Sequence, residues 1–290
     1  MKKKVWTIVA AAGILFTGAG TYSILADSPG YESYKVAVKK THTLDNATTE
    51  LQMSITDNGK LLLDTNTIMK FDKKQDSAEG AVKIKTLDQE LQLNAIVQDG
   101  QPIIQRTGEE TYYLTEEKHP KMNTSDGKKF HDPAMMKLGE LVMNAVTQPI
   151  QDDFKVDKNT IIIEMNNEDI PAIIHSIGQQ VIKMGFKAHS EIELSTAEYP
   201  FLAENFVSKL PMLERDITIE KVFVQANLTD EGYLKNQDAA FTVRGKDQSG
   251  IAHEVEINVS IAVTNVNKTQ IDKINLEGKV VERFEMKKVH

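Results

Sequence analysis

The 290-residue sequence contains no cysteine. This absence excludes disulfide bonds and thiolate metal sites. It also excludes a lipid anchor, because a lipoprotein signal needs a cysteine at its cleavage site. The stability of the fold must therefore come from a hydrophobic core. With 40% apolar residues, the chain is long enough to build one.

Catalytic motifs are missing as well. The sequence has no His-Glu-x-x-His zinc motif, no Gly-x-Ser-x-Gly nucleophile elbow, no P-loop and no EF-hand loop. The seven histidines stand apart from one another in the sequence. His175 lies between Ile174 and Ile177 on a predicted helix, where a partly buried histidine with a hydrogen-bond partner is the simplest interpretation. We therefore expect no enzymatic activity, no cofactor and no metal site.

Positive charge is scarce. The chain has 34 lysine and arginine residues against 42 acidic residues, which gives a net charge of −8. Nucleic acids and anionic lipid surfaces both attract basic patches, so an acidic balance argues against either as a partner. We expect no binding of nucleic acid.

A long apolar run stands at the N-terminus, where Lys2 to Lys4 precede an uncharged stretch from Val5 to Ala26. Residues 5–16 have the length of a signal-peptide core, whereas the whole stretch could just cross a bilayer of about 30 Å. The apolar flank at residues 24–25 is poor for cleavage and favours an uncleaved transmembrane anchor. The lysines then predict a single-pass protein of the cell membrane, with residues 27–290 outside as one extracytoplasmic domain. Cleavage would make the protein secreted.

Alternation of apolar and polar residues predicts two strand-rich regions, at about 46–115 and 213–285. In the segment 48–56, leucine, methionine and isoleucine alternate with polar neighbours, and a hairpin turn follows at Asp57–Gly59. This pattern is typical of a strand with one wet face. The first region is predicted to be an antiparallel meander, and the second completes the sheet.

The middle of the chain, at about 133–211, has a helical period instead. Three amphipathic helices are predicted there, at residues 133–146, 167–184 and 197–210, with a strand at 160–165 between the first two. A shorter helix, Tyr31 to Thr41, precedes the first strand. Amphipathic helices need a sheet on which to pack. The predicted fold class is therefore α+β, with a curved antiparallel sheet, or half-barrel, covered on its concave side by helices.

The two strand-rich regions also resemble each other at a constant offset of 173 residues. Asp57 and Gly59 correspond to Asp230 and Gly232, since 230 − 57 = 173. The match continues without a gap over three predicted strands. It indicates either an internal duplication or two hairpins with similar turn chemistry.

The order of the elements resembles that of the superfamily of periplasmic lipoprotein carriers and mycobacterial lipid-binding lipoproteins. The opening phrase Ser28-Pro29-Gly30-Tyr31-Glu32-Ser33-Tyr34-Lys35 looks like the start of surface proteins of spore-forming bacteria. The resemblance implies a half-barrel sheet lidded by helices and a lipid-binding role. No lipid-contact residue carries over individually, and the missing lipoprotein cysteine departs from the pattern of many members.

A sheet of this kind can enclose a ligand cavity or pack shut. The eleven methionines would give such an interior an adaptable surface. We predict that a cavity would be lined by inward-facing positions of the strands and helices, namely Leu51, Met53, Ile55, Leu91, Leu93, Val97, Met136, Ile177 and Val181. The alternative is that these side chains form a packed core.

The predicted function is non-enzymatic: the domain binds an apolar ligand, such as a lipid, or senses the state of the cell envelope. The predicted partners are the cell membrane, through the N-terminal segment, and a lipid or an envelope protein. The competing hypothesis is a structural or protein-interaction module with a fully packed core and no ligand cavity. A cavity would distinguish the two.

Overall fold

The computed structural model describes residues 28–115, 148–176, 178–180, 182, 200–202 and 210–284. Its strands are β1 Asn46–Asp57, β2 Lys60–Asp72, β3 Ser77–Thr86, β4 Glu90–Gln98, β5 Gln101–Arg106, β6 Thr111–Thr115, β7 Lys155–Asp157, β8 Thr160–Asn166, β9 Arg215–Leu228, β10 Leu234–Lys246, β11 Ala252–Thr264 and β12 Val280–Phe284. The described helical elements are α1 Pro29–His42, the 3-10 helices Gln148–Asp153 and Asn167–Asp169, and helical residues at 172–176, 178–180 and 182.

All twelve strands belong to one sheet, in the order β12-β6-β5-β4-β3-β2-β1-β11-β10-β9-β8-β7. Two antiparallel meanders build it, one from β1 to β6 and one from β7 to β11. They meet where β1 pairs with β11, in the middle of the sheet. The last strand, β12, pairs in parallel with β6 and makes the sheet mixed.

Local sequence explains why the meanders turn where they do. The β1–β2 hairpin closes at Asn58 and Gly59, whose φ angles are 49° and 77°. Asparagine and glycine tolerate this left-handed conformation, and such two-residue turns match the twist of antiparallel strands. A β-bulge between Ile55 and Thr56 shifts the register just before the turn.

The two faces of the sheet differ in character. We call the face that carries Met53 and Ile55 the apolar face, and the opposite one the polar face. Helix α1 packs on the apolar face near β8 to β10, where the Tyr31 and Tyr34 rings lie 5.2 Å and 5.6 Å from the Phe154 ring. A second packed cluster on this face surrounds Ile55, in the middle of the sheet.

Two smaller clusters close the end of the sheet that contains β6. On the apolar face, Tyr113 packs with Phe201 and Phe284. On the polar face, a cluster from β4, β5 and β6 is covered by the segment that precedes β12, through Ile271, Ile274 and Leu276. Both faces of this end are therefore partly covered.

The predicted fold class is wrong. The protein is mainly β, with a twelve-stranded mixed sheet, and in the described part of the chain helices do not cover one side of it. The strand predicted at 160–165 is confirmed as β8 of the β7–β8 hairpin, and the described helical elements pack mainly near β7 to β10. The predicted helix at 133–146, and most of the one at 197–210, lie outside the described residues.

The predicted transmembrane helix and the single-pass localisation are also corrected. Within the residues that the structure describes, no helix has the length and apolar character needed to cross a membrane. The N-terminal segment on which the prediction was based, residues 1–26, lies outside the described residues.

Candidate functional site

One register row crosses the apolar face over nine strands, from β8 to β5. Its Cα partners in order are Ile161, Ala226, Gln237, Ile261, Leu51, Thr67, Val82, Leu93 and Arg106. Paired residues of neighbouring strands point to the same face, so these side chains form a continuous line. The first three are buried, and the others are half-buried.

The half-buried apolar part of this row is the candidate site. We call it the apolar strip and define it as Ile261, Leu51, Thr67, Val82 and Leu93. It includes one residue from each of five neighbouring strands, β11, β1, β2, β3 and β4. Four strand spacings of about 4.8 Å give it a length of about 19 Å.

The strip separates a closed row from an open row. On one side lie Val259, Met53 and Leu91, which are buried, whereas Thr65 and Ile84, between Met53 and Leu91 in the register, are half-buried. On the other side the next row passes through Met69 and Ala95, which are exposed, Met69 by 48%. Gly80 stands between these two residues in the register and adds no side chain. The apolar face thus changes from packed to open across the strip.

The structure divides the predicted lining residues into groups. Leu51 and Leu93 lie in the strip itself, with β2 and β3 between them, and each packs at its edge against a buried cluster, Leu51 against the one around Ile55 and Leu93 against the one around Tyr113. Ile55 and Leu91 are only 2% exposed, and Met53 is buried with them, so these three are part of the packed interior.

The remaining predictions fall elsewhere. Val97 is half-buried in a different row, opposite Ala78 and Pro102. Met136, Ile177 and Val181 lie outside the described residues. The structure therefore brings only part of the predicted set to one surface.

A buried polar pair borders the strip at its β10 end. Gln237, next to Ile261 in the register, is 2% exposed. The Tyr34 hydroxyl of α1 donates a hydrogen bond of 2.8 Å to Gln237 Oε1. Gln237 Nε2 is also buried, and it has no hydrogen-bond partner among the described residues. Burial raises the pKa of Tyr34 far above its ordinary value, against a smaller opposing effect of this hydrogen bond, so the hydroxyl remains protonated.

Sequence analysis missed Thr67, Val82 and Gln237. For Gln237 a signal was present, because it occupies a position in phase with Ala239 and Val243 along β10, where alternation predicts an apolar side chain. A polar residue at such a position is an unusual choice for a core. No comparable signal marks Thr67 or Val82, because strand pairing decides which residues join the row.

Two open depressions lie on the polar face instead. The larger has a volume of about 480 Å³ and the smaller about 330 Å³. Both are lined by Phe223, Ala240 and Asn258, and they continue into each other along the sheet. Met53 is the predicted lining residue that borders the larger one. Both are open to solvent and are lined by polar as well as apolar side chains.

One histidine does have close acidic neighbours, although the sequence places it alone. His253 Nδ1 lies 2.8 Å from Asp57 Oδ2, and His253 Nε2 lies 3.7 Å from Asp247 Oδ2. These contacts tie the β1–β2 turn to the β10–β11 turn. Among the described residues, no group of three histidine or acidic side chains is arranged to hold a metal ion.

Comparison with known proteins adds little. No family model and no curated protein sequence matches the chain, so the resemblance to lipoprotein carriers has no family match behind it. A phycobiliprotein lyase from Guillardia theta shares 6% identity over 81% of this chain and 94% of its own, with a TM-score of 0.18. A β-barrel-like protein with a domain of unknown function, from Brucella abortus, shares 9% identity over 76% and 98%, also with a TM-score of 0.18. At TM-scores this low, neither similarity supports a statement about fold or function.

Proposed function

We propose that this chain is a non-enzymatic binding protein that holds an apolar ligand, such as the acyl chain of a lipid, along the apolar strip. The observation that carries the proposal is the half-buried state of Leu51, Val82 and Leu93 between a packed row and an open row. An apolar surface left partly open in a long row is a common feature of ligand-binding and interaction sites.

The half-buried side chains of the strip remain partly in contact with water. Removing apolar surface from water stabilises a complex by roughly 25 cal/mol per Å². A flexible apolar chain about as long as the strip could cover several of its side chains at once. The exposed Met69 beside the strip would supply an adaptable, polarisable contact for chains of different shape.

A protein-interaction module is the competing function. Two observations favour it: Ile55 and Leu91 are packed shut, and the edge strand β12 exposes Val280 and Val281. An exposed edge strand offers free backbone groups and apolar side chains to another chain. In that case a partner protein, and not a lipid, would cover the exposed apolar residues.

The experiment is purification of the full-length chain without detergent, followed by solvent extraction and lipid mass spectrometry. Binding of a fluorescent fatty acid is then titrated against three proteins: wild type, Val82→Gln and Ala81→Gln. Val82 lies in the strip and Ala81 on the polar face, one residue earlier on β3, and both are half-buried. The Ala81 variant is therefore a matched control for the effect of an added amide on stability.

We expect a co-purifying lipid, or saturable binding of the fatty acid, with Val82→Gln weakening binding about tenfold and Ala81→Gln leaving it within a factor of two. Absence of lipid together with absence of saturable binding would contradict the proposal and leave the interaction module. Equal effects of the two substitutions would place the ligand away from the strip.

A further inference from the structure

We infer that Gln237 recognises the polar head of the ligand, and that the ligand is an amphipathic lipid whose head accepts a hydrogen bond, as an ester or carboxyl carbonyl does. The inference rests on the proposed function, because it assigns a polar contact to the end of the same strip. It narrows the ligand class from any apolar molecule to a chain with an acceptor at one end.

Gln237 lies at the end of the strip. Gln237 and Ile261 are Cα partners in the β10–β11 ladder, and Ile261 is the first residue of the strip. Side chains of paired residues on one face stand about 5 Å apart. A chain lying along the strip would therefore bring its terminal group next to the Gln237 amide.

Hydrogen-bond direction is the second argument. A neutral amide carries one acceptor oxygen and an NH₂ group that only donates. The Tyr34 hydroxyl already occupies Oε1, and the raised pKa of Tyr34 keeps that hydroxyl protonated. Among the described residues Nε2 therefore has no partner, and what it lacks is an acceptor. A head group that only donates, or has no polar atom, would not satisfy it.

The energetic cost of the unpartnered group is the third argument. A buried donor without a partner costs about 1–3 kcal/mol, and native proteins retain few of them. Met or Leu at this position would fill similar space without an unpartnered donor, although it would remove the acceptor of the Tyr34 hydroxyl. A polar residue 2% exposed in the middle of an apolar face therefore requires a reason, and a ligand acceptor provides one.

The opposite end of the row is a weaker place for the head. Arg106 ends the row next to Leu93, but its guanidinium pairs with the Glu109 carboxylate at 3.1 Å. This charge is already compensated. The amide at the β10 end is the polar group of the row that lacks a partner, so it determines the orientation of the chain.

The test compares two chains of similar length that differ in the acceptor. Methyl palmitate has a carbonyl, whereas octadecane has no polar atom. Both are delivered from cyclodextrin and titrated by displacement of the fluorescent fatty acid from the full-length protein. The variants are Gln237→Met, which keeps an unbranched side chain, and Gln225→Met on the polar face as a matched control.

Wild type and Gln225→Met should bind methyl palmitate about tenfold more tightly than octadecane, and Gln237→Met should bind both equally. Equal affinities in the wild type, or an unchanged ratio in Gln237→Met, would overturn the inference while leaving the proposed function intact, because the strip would still bind chains. Failure of both chains to bind any of the proteins would contradict the proposed function itself.

Discussion

Two regions of the apolar face, one near β8 to β10 and one at β2 and β3 in the interior of the sheet, are built from the same alternating strands, yet they differ in how they are covered. At the end formed by β8 to β10, Ile161 and Ala226 are buried beneath α1 and the Gln148–Asp153 helix. At β2 and β3, in the same row, Thr67 and Val82 remain half-buried, and Met69 beside them is exposed. We call these regions the closed end and the open end.

The comparison indicates that the covering segments, and not the strands, decide what each region does. An alternating strand only supplies one apolar face, and that face becomes core when another element packs on it. The closed end carries the helix that holds the sheet in one arrangement. The open end keeps apolar surface available, which is the property that a binding site requires. The following predictions test this difference, beginning with the largest expected effect.

Truncation of a large side chain should be much more damaging at the closed end. We expect Ile161→Ala to lower the free energy of unfolding by about 2–5 kcal/mol, because it leaves a cavity in a packed core. Val82→Ala at the open end should cost about 1 kcal/mol, since its side chain is only half-buried. Urea unfolding of both variants measures the difference, and equal losses would contradict the division into two ends.

Adding a methyl group should have opposite effects at two glycines. A Cβ on Gly30 of α1 would overlap the carbonyl oxygen of Phe154, so Gly30→Ala should cost about 1–3 kcal/mol. A Cβ on Gly80 of β3 would come no closer than 3.7 Å to another atom. Gly80→Ala should therefore be neutral or stabilise by up to about 1 kcal/mol, because alanine restricts the unfolded chain. Thermal unfolding of the pair checks the prediction, and a large loss at Gly80 would show that the open end is packed.

Removing the Tyr34 hydroxyl should destabilise the protein, because Gln237 Oε1 would lose its hydrogen-bond donor. We expect Tyr34→Phe to cost about 1–2 kcal/mol. In the Gln237→Met background the same substitution should cost much less, because the hydrogen bond no longer exists. A double-mutant cycle with urea unfolding measures this coupling. A cycle with no coupling energy would mean that the pair does not act together.

The open end should depend on turn hydrogen bonds, and therefore on pH. Burial alone would raise the pKa of Asp72, but hydrogen bonds from the Gln75 and Lys74 amides and the Asn46 and Gln75 side chains outweigh it and lower the pKa below 3.8. A lowered folded-state pKa gives stability that is present above the unfolded value and lost as the pH falls through the folded one.

We expect Asp72→Asn to cost about 1 kcal/mol at pH 7. The difference between wild type and variant should begin to shrink below about pH 4, where the carboxyl of the unfolded chain takes up a proton, and should be lost as the pH falls through the lower folded-state pKa. Urea unfolding between pH 7 and pH 3 measures it. A difference that stays constant across this range would mean that the charge of Asp72 contributes nothing.

Strand positions could be predicted closely from the sequence. Alternation predicts strands at 90–98, 60–71 and 216–228; the first agrees with β4, and the other two differ from β2 and β9 by one residue at one end. Alternation identifies these strands because burial of one face forces a period of two. The predicted strand at 274–284 begins only at Val280, because Ile274 and Leu276 pack as an extended cover on the polar face.

The candidate site could be predicted only in part, because periodicity does not reveal which strands are neighbours. Leu51 and Leu93 were found as apolar strand residues, but the row that joins them depends on the registers of β2 and β3. A shift of one residue moves every side chain to the other face. The same rule argues against an internal duplication at a constant offset. At an offset of 173 residues, Thr67 on the apolar face corresponds to Ala240, which lines the depressions on the polar face.

The central claim is that the open end of the apolar face binds an apolar chain. The most direct measurement is photo-cross-linking of the full-length protein with a palmitic acid analogue that carries a diazirine on its chain, followed by peptide mass spectrometry. We predict adducts on strip residues such as Leu51, Val82 and Leu93, and their loss when unlabelled palmitate competes. Adducts around Phe223 on the polar face, or adducts that palmitate does not reduce, would contradict the account.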